Sequence, residues 1–379
     1  TFSLNFNKVM ERKDNVIATL REGVASMMKA AKVNVVNAFA SFKDDRTLVA
    51  DGEEYTADNI IIATGSVSKG LPIPGAEEPY VMDSTDMLSI DHIPESLTII
   101  GGGVIGMEFA SIFNSLGSKV TVIEFMKQIL PPFDSDIAKR LKQSLSKKGI
   151  EIITGAAAKK IEQNEAYEII VTYELKGVEK QVTSSDLLMA VGRAPRLEGL
   201  GLENTGIEYT KKSIVTDELM RTNVPNIYAI GDVTGKMMLA HVASFQGMRA
   251  LHTILGKEDN IDFQVVPSAV FTVPECGMAG LTEAQCKEKG MSISTGTSFF
   301  RANGKALALG EPEGLCKLIF DSTTGCLIGA HIMGVQAADL AQQCADFITL
   351  GTTRQQMLDV IFGHPTVSEV ILSAARNVK

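Results

Sequence analysis

The chain has 379 residues, enough for two or three domains with a sizeable core. Its 36 Lys and Arg against 45 Asp and Glu give a formal net charge of −9, which argues against nucleic acid or an anionic membrane surface as the main partner. Apolar residues at 45% and charged residues at 21% are typical of a globular protein. No apolar run is long enough to span a bilayer and no secretory signal opens the chain, so we expect a cytoplasmic protein.

The cysteines are odd in number and scattered, with no C-x-x-C and no spacing typical of a metal site. They are Cys276, Cys286, Cys316, Cys326 and Cys344. We expect reduced thiols, as in a cytoplasmic protein, and no metal centre. The sequence opens on Thr1 and not on Met, so we expect a fragment of a longer protein.

The first part of the chain is predicted to be one long helix followed by short strands. Apolar residues recur at helical spacing from 6 to 32. Strands are predicted at 33–40, 46–49 and 53–56. The β-branched run at 59–63 predicts a strand buried on both faces. A loop rich in Pro and Gly follows, and the first domain boundary is predicted near residue 94.

The middle of the chain predicts a βαβ unit, with a strand at 96–100, a turn at 101–106, a helix at 107–116 and a strand at 119–124. A helix at 134–148 and several strands complete this block. A strand at 227–230 and a helix at 239–255 precede a second boundary near residue 262. The remainder is predicted as α+β, with strands at 317–320 and 327–333 and helices at 337–350 and 367–375.

The turn of the βαβ unit matches G-x-G-x-x-G, and its context makes the match specific. Gly101 allows the tight turn, Gly103 lets the backbone approach a pyrophosphate, and Gly106 lets helix and strand pack closely. Glu124, at the end of the second strand, would accept hydrogen bonds from the ribose hydroxyls and repel a 2′-phosphate, which favours NAD over NADP. The alternative is a glycine-rich turn in a domain that binds no nucleotide.

Six ordered blocks of sequence carry a family resemblance. They are I-A-T-G-S at 62–66, G-G-G-V-I-G-M-E at 101–108, V-G-R-A-P at 191–195, I-G-D at 230–232, M-L-A-H at 238–241 and H-P-T-V-S-E at 364–369. In this order they resemble dihydrolipoamide dehydrogenase, a class I flavin-dependent pyridine nucleotide-disulfide oxidoreductase, over essentially the whole chain. Glutathione and mercuric reductases fit less well, since basic residues for NADP are expected where Glu124 stands.

The resemblance implies an α/β fold with a Rossmann-like FAD and NAD core, whose FAD part is incomplete here, and an α+β C-terminal dimerisation domain. It divides the chain into a partial FAD domain at 1–93 and 214–262, an NAD domain at 94–213 and an interface domain at 263–379. The implied NAD contacts are Gly101, Gly103, Val104, Ile105, Gly106, Glu108, Glu124 and Gly192. The implied FAD contacts are Thr64, Gly65, Ser66, Asp232, Met238, Leu239, Ala240 and His241. From local sequence alone, Asp232 could equally be a helix cap or turn residue.

His364 and Glu369 are the predicted acid-base pair. A histidine oriented by a carboxylate has a fixed tautomer and suits deprotonation of a dithiol near neutral pH. In the family this histidine comes from the other subunit, so a homodimer is implied. Taken without the resemblance, a His-Pro before a short helix is more often structural.

Two parts of the family pattern are missing from this sequence. It has no second G-x-G-x-x-G for the FAD pyrophosphate, and no two cysteines form a C-x-x-x-x-C redox disulfide. Glu108, which would face the lysine beside that disulfide, therefore lacks its family partner. We expect weak or absent FAD binding and no dithiol exchange by this chain alone.

Two functions follow as hypotheses. The first is an NAD-dependent dihydrolipoyl dehydrogenase, serving a lipoyl-bearing acyltransferase or the glycine cleavage carrier protein, of which this chain is an inactive fragment. The second is a non-catalytic, dimeric NAD-binding module.

Overall fold

The structure is a computed structural model that describes residues 4–379. Residues 1–3, which open the predicted partial FAD domain, lie outside the described residues. The helices are α1 (Phe6–Ala30), α2 (Ser84–Met87), α3 (Val104–Ser115), α4 (Ser135–Lys147), α5 (Ala240–Ile254), α6 (Glu283–Glu288), α7 (Gly304–Leu309), α8 (Ala337–Thr349), α9 (Arg354–Asp359) and α10 (Glu369–Arg376). None of the described helices is long and apolar enough to cross a membrane.

The strands are mostly short. They are β1 (Ala40–Phe42), β2 (Thr47–Ala50), β3 (Glu53–Thr56), β4 (Ile60–Ile62), β5 (Ser66–Ser68), β6 (Val81–Met82), β7 (Ser96–Ile100), β8 (Lys119–Glu124), β9 (Glu151–Thr154), β10 (Ala156–Gln163), β11 (Ile169–Leu175), β12 (Val178–Ser184), β13 (Asp186–Met189), β14 (Arg193–Pro195), β15 (Tyr209–Thr210), β16 (Ser213–Ile214), β17 (Ile227–Ala229), β18 (Ser268–Val270), β19 (Cys276–Gly280), β20 (Ile293–Phe299), β21 (Leu315–Asp321) and β22 (Leu327–Met333).

The chain forms two compact units, each built from separate stretches of sequence. The first contains the chain up to Lys69, Leu88–His92 and Arg193–Ile261. The second contains Gly70–Met87, Ile93–Gly192 and Asp262–Lys379. The second unit therefore holds most of the predicted NAD segment and all of the predicted interface segment.

The first unit is organised around the parallel pair β4 and β17, whose apolar side chains form a core with Ile207, Ile214 and Val233. The antiparallel sheet β1-β2-β3 joins this core through Phe42. Parallel pairing brings the carboxyl ends of β4 and β17 to the same edge, where the two predicted FAD segments begin.

Two sequence predictions for this unit are wrong. No strand forms over 33–39, because this stretch has no ladder partner in the described residues and Val33, Val35 and Phe39 are at least 50% exposed. The strand at β4 is not buried on both faces, since Ile61 is 40% exposed while Ile60 and Ile62 are buried. Ile60 and Ile62 pack into the core of this unit, whereas Ile61 lies on the opposite face of β4.

The helix α1 forms as predicted but buries none of its residues. The side chain of Asn5 caps it by accepting a hydrogen bond from the N–H of Lys8 at 3.2 Å. Apolar side chains along it stay largely in solvent, with Leu20 at 65% and Met27 at 68% exposed. The helix α1 is therefore favoured by its local helical periodicity and its N-cap, and not by burial in a core.

The second unit contains a parallel sheet of order β6-β13-β7-β8-β9. The segments β7, α3, β8, α4 and β9 follow one another, so the predicted βαβ unit continues into a second one. The helix α3 begins at Val104, before the predicted start at 107, because Gly103 already serves as its N-cap. Residues of β7, β8 and β13 at 0–5% exposure form the core of this sheet.

The second unit also contains a three-stranded antiparallel sheet, β10-β11-β12, and a five-stranded antiparallel sheet of order β18-β19-β22-β21-β20. The core of the five-stranded sheet includes Phe300, Phe320, Ile332 and Met357, and the helices α8 and α10 pack on this sheet. The helix α10 begins at Glu369, two residues after the predicted start, so the residues from 364 to 368 form a loop that leads into it.

Candidate functional site

The glycine turn between β7 and α3 leaves no space for other side chains at two of its positions. Gly101 has φ +116°, and a Cβ there would lie 2.2 Å from the carbonyl oxygen of Ala190. A Cβ at Gly106 would lie 1.9 Å from the carbonyl oxygen of Gly101. These two glycines allow the turn itself and the close packing of helix against strand.

Gly103 differs from its neighbours because it faces open space. A Cβ there would meet nothing within 4 Å, and the backbone is extended at φ −75°. Gly103 is the N-cap of α3 and no side chain caps this helix, so the first N–H groups of α3 are free of a protein cap. Such an N-terminus suits a phosphate, which accepts hydrogen bonds from the N–H groups and interacts favourably with the helix dipole.

Glu124 lies beside the glycine turn, at the end of β8. Its side chain is 7% exposed, and its two oxygens accept hydrogen bonds from the N–H of Gly102 and the N–H of Met126, both at 2.5 Å. Each carboxylate oxygen has a second lone pair that can accept from a hydroxyl. The open glycine, the uncapped helix and this carboxylate fit the pyrophosphate and ribose of NAD.

The other predicted NAD residues lie around this turn in the same unit. Val104 and Ile105 form the first turn of α3 and are half-buried, and Gly192 is exposed with φ +108°. Glu108 accepts a hydrogen bond from the N–H of Phe271 at 2.8 Å. Burial raises the pKa of Glu108, and that hydrogen bond only partly offsets the effect.

The predicted FAD residues meet at the carboxyl ends of β4 and β17. Ser66 donates a hydrogen bond to the Asp232 carboxylate at 2.5 Å, across 166 positions of sequence. Arg193 donates from Nε to the Ser66 hydroxyl at 2.6 Å and from Nη2 to the Ser66 carbonyl at 2.9 Å. Thr64 and Gly65 are held by hydrogen bonds to the backbone of Arg196.

The helix α5 completes this cluster from the motif at 238–241. Leu239 is its N-cap, with no side-chain cap hydrogen bond, and Ala240 is its first residue. Gly231 packs closely under the helix, since a Cβ there would lie 3.0 Å from that of Ala243. Asp232 as an acceptor and α5 as a source of N–H donors fit the ribityl hydroxyls and polar ring edge of FAD.

Sequence reasoning missed two side chains that shape this cluster. Arg193 belongs to the motif V-G-R-A-P, which by itself assigns no role to it. Gln246 accepts a hydrogen bond from the N–H of Gly231 at 2.6 Å and is only 3% exposed. A polar residue on the buried face of a predicted helix was the available signal for Gln246.

His364 and Glu369 lie together in the second unit, as the acid-base hypothesis requires. The distances from His364 Nδ1 to the two Glu369 oxygens are 3.1 and 3.2 Å. The N–H of Thr366 donates to Glu369 at 3.0 Å. The histidine side chain is 78% exposed, whereas that of the glutamate is 28% exposed. With Nδ1–H donating to the carboxylate, Nε2 presents a lone pair to solvent.

The Glu369 carboxylate is stabilised in its charged form. The hydrogen bond from the N–H of Thr366, followed by that from His364, holds the pKa of Glu369 below its ordinary value. Glu369 is therefore ionised at neutral pH and can orient the imidazole.

The cysteines are all free thiols, and only Cys326 is partly exposed. Burial raises the pKa of Cys276 and of Cys344 to about 12, and that of Cys316 well above its ordinary value. These buried thiols are protonated at neutral pH and are poor nucleophiles. Among the described residues, no group of three or more His, Cys, Asp or Glu side chains is placed to hold a metal ion.

Comparison with protein families gives two matches that together span most of the chain. Residues 3–247 match the pyridine nucleotide-disulphide oxidoreductase family, and residues 266–375 match the dimerisation domain of the same family. The dimerisation domain supports a homodimer.

Relatives and solved structures agree with this assignment. The chain is 41% identical to dihydrolipoyl dehydrogenase of Bacillus subtilis and 38% identical to that of Geobacillus stearothermophilus, in each case over 98% of this chain and 80% of the relative. The HOCl-induced flavoprotein disulfide reductase RclA of Escherichia coli superposes with a TM-score of 0.91 at 31% identity, over 99% of this chain and 87% of that one. LpdA of Mycobacterium tuberculosis gives a TM-score of 0.91 at 26% identity, over 99% and 84%.

FAD and NAD are the cofactors of the dihydrolipoyl dehydrogenases, and the glycine turn and the Asp232 cluster have the groups that these cofactors require. The chain belongs to the pyridine nucleotide-disulphide oxidoreductase family and, within it, to the dihydrolipoyl dehydrogenases, which are NAD-dependent oxidoreductases.

Proposed function

We propose that this chain serves the oxidation of protein-bound dihydrolipoamide, with electrons passing through a redox disulfide and FAD to NAD. The observation that carries the proposal is the exposed His364 held by Glu369. A lipoyl group on a carrier protein is long and mobile, and an imidazole open to solvent is accessible to it. The carrier is a lipoyl-bearing acyltransferase or a glycine cleavage carrier protein, and the compartment is the cytoplasm.

The domain roles in this proposal follow the sequence. Residues 1–93 and 214–262 form part of the FAD domain, residues 94–213 the NAD domain, and residues 263–379 the interface domain. In the homodimer, His364 of each subunit acts on the substrate bound by the other.

The chemistry assigned to the chain's own residues is proton transfer and positioning. His364 Nε2 takes a thiol proton from dihydrolipoamide, and Glu369 stabilises the resulting imidazolium. Bound FAD would relay the electron pair from the redox disulfide to NAD. The α3 N-terminus binds the NAD pyrophosphate, and Glu124 binds the adenosine ribose. Overall, the dithiol loses two electrons and two protons, NAD gains a hydride, and one proton is released.

The sequence contains no C-x-x-x-x-C, and four of its five thiols are buried. This observation favours the second candidate for the chain taken alone, a dimeric module that binds NAD without catalysing thiol exchange.

One experiment separates the two functions. We expect the purified 379-residue chain to bind NADH by calorimetry, and to show no dihydrolipoamide-dependent reduction of NAD even with added FAD, because it has no dithiol to exchange. A yellow protein that reduces NAD in the presence of dihydrolipoamide would show that the chain is itself the active enzyme. Absence of NADH binding would contradict both candidates.

Glu124 is expected to set the choice of nucleotide. NADPH should bind about tenfold or more weakly than NADH, about 1.4 kcal/mol, because its 2′-phosphate meets a buried carboxylate. The variant Glu124→Gln should reduce this preference to about threefold or less. Fluorescence titrations with NADH and with NADPH give the two dissociation constants, and their ratio is the nucleotide preference.

Glu151→Gln is the matched control for this prediction. It removes a carboxylate from the neighbouring strand at the position paired with Thr121, away from the nucleotide end of the sheet. Its NADH preference should equal that of the unmodified chain. Equal affinity of the unmodified chain for the two nucleotides would exclude the proposed role of Glu124.

A further inference from the structure

The segment between Glu124 and α4, residues 125–134, is held on both sides, and we call it the anchor segment. It contains Ile129 and Leu130, both 0% exposed, and Phe133 at 4%. Leu130 has φ +47°, a left-handed conformation that is uncommon for a side chain other than glycine. Such a conformation persists only where surrounding contacts fix it, and the anchor segment has such contacts on both of its sides.

On one side the anchor segment contacts the proposed nucleotide site through its backbone. The N–H of Leu130 donates to the carbonyl of Gly102 at 2.9 Å. The N–H of Met126 donates to the Glu124 carboxylate. The glycine turn and the ribose-binding carboxylate therefore both depend on where the anchor segment lies.

On the other side the anchor segment ends at Asp134, which has both carboxylate oxygens engaged. Oδ1 accepts from Lys317 Nζ at 2.9 Å and from the N–H of Asp136 at 3.1 Å. Oδ2 accepts from the N–H of Glu283 at 3.3 Å. The end of the segment is thus attached to β21 and α6 as well as to α4.

Lys317 is the centre of this network. Its ammonium group also donates to Asp136 at 2.7 Å and to Glu283 at 2.8 Å, so all three of its donors have acceptors. The Lys317 and Asp134 side chains are 4% and 2% exposed, whereas those of Asp136 and Glu283 are 58% and 44% exposed. The pair between Lys317 and Asp134 is therefore the buried part of the network.

Both buried groups are charged at neutral pH. Burial alone would raise the pKa of Asp134, but the hydrogen bond from Lys317 and neighbouring positive charge outweigh it and the pKa is lowered. Burial alone would lower the pKa of Lys317, but its hydrogen bonds to Asp136, Glu283 and Asp134 outweigh that effect.

We propose that Lys317 and Asp134 are positioning residues of the NAD site, which act through the anchor segment on Gly102 and Glu124 without touching the nucleotide. The inference rests on the nucleotide role proposed above for the glycine turn and Glu124. It gives a residue of the antiparallel sheet a part in nucleotide affinity and in the choice between NADH and NADPH.

The test is the variant Asp134→Asn. Asparagine can keep its Oδ1 on Lys317 and on the N–H of Asp136 that caps α4, but its amide nitrogen then faces the N–H of Glu283, which loses its acceptor, and the Lys317 ammonium group loses its buried counter-charge. We expect the dissociation constant for NADH to rise about fivefold or more, and the preference for NADH over NADPH to fall about threefold or more. We also expect faster hydrogen exchange at the Leu130 amide without nucleotide.

Glu283→Gln is the matched control. It removes one charge from the same network at a partly exposed position, and it leaves the backbone N–H that donates a hydrogen bond to Asp134. Its NADH affinity and nucleotide preference should stay within about twofold of the unmodified chain. If Asp134→Asn lowers the unfolding temperature but leaves affinity, preference and Leu130 exchange unchanged, the network is only structural and the inference is wrong.

Two further arms keep the outcome decisive. If Asp134→Asn does not fold, Lys317→Arg is judged by the same measurements, because a planar guanidinium keeps the charge but does not reproduce the ammonium geometry. If the unmodified chain binds neither nucleotide, the proposed nucleotide role has failed. The Leu130 exchange rates of the unmodified and variant chains then still decide whether Lys317 and Asp134 hold the anchor segment.

Discussion

Replacing Lys317 with methionine is expected to lower the free energy of unfolding by about 3–5 kcal/mol, because it leaves the Asp134 carboxylate buried without a counter-charge. Asp134 is 2% exposed, so water cannot take the place of the ammonium group. Asp136 and Glu283 are partly in solvent and lose much less. Urea unfolding followed by circular dichroism measures the difference.

The matched control is Lys139→Met, which removes a lysine from an exposed position on α4. It should change the free energy of unfolding by no more than about 0.5 kcal/mol. The double variant Lys317→Met with Asp134→Leu removes both buried charges together, and we expect it to recover part of the loss. Equal unfolding midpoints for Lys317→Met and Lys139→Met would contradict the expected contribution of the buried Lys317–Asp134 pair to stability.

The effect of pH on this variant has a definite sign. The pKa of Asp134 is lowered in the folded protein, so its contribution to stability is present above the ordinary carboxyl pKa and is lost as pH falls through the folded value. In Lys317→Met, Asp134 is buried without the ammonium group, which should raise its pKa. Protonation of Asp134 at lower pH then removes the buried unpaired charge that destabilises the variant. The stability difference between the two proteins should therefore narrow as pH falls.

Local patterns in the sequence were sufficient for much of the fold. Helical periodicity and turn residues placed α1, α4, α5 and α8 within a few residues of their observed ends. The strand predicted at 33–40 rests on a local strand pattern, but a strand also needs a neighbouring strand to supply hydrogen bonds, and 33–39 has none among the described residues. A local pattern also does not show what packs on each face of a strand, which is why the predicted burial of β4 on both faces is wrong.

In the candidate site, contacts between residues close in sequence could be predicted, whereas contacts between distant residues could not. His364 and Glu369 are five positions apart, so the sequence could bring them together. The hydrogen bond of Arg193 to Ser66 spans 127 positions and that of Lys317 to Asp134 spans 183. Such contacts are set by sheet order and by the packing of separate segments, which no local pattern contains.

The glycine turn provides the prediction that separates nucleotide binding from folding. Gly103→Ala should lower the free energy of unfolding by no more than about 1 kcal/mol, because alanine is a poorer N-cap than glycine but the added Cβ meets nothing within 4 Å and the backbone conformation suits alanine. The same variant should weaken NADH binding about tenfold or more, since the methyl group would occupy the space proposed for the pyrophosphate.

Gly106→Ala is expected to act on both properties. Its Cβ would lie 1.9 Å from the backbone oxygen of Gly101, so α3 must move away from β7. We expect a loss of about 1–3 kcal/mol in the free energy of unfolding, together with loss of measurable NADH binding.

Gly304→Ala is the control for glycine replacement as such, because its Cβ also meets nothing within 4 Å and it lies in α7, remote in sequence from the turn. It should change neither stability nor NADH affinity. Unchanged NADH affinity in Gly103→Ala would mean that the nucleotide does not approach this turn. Weakened binding in a folded Gly103→Ala chain would come from contact with the ligand, because the folded protein itself has room for the methyl group.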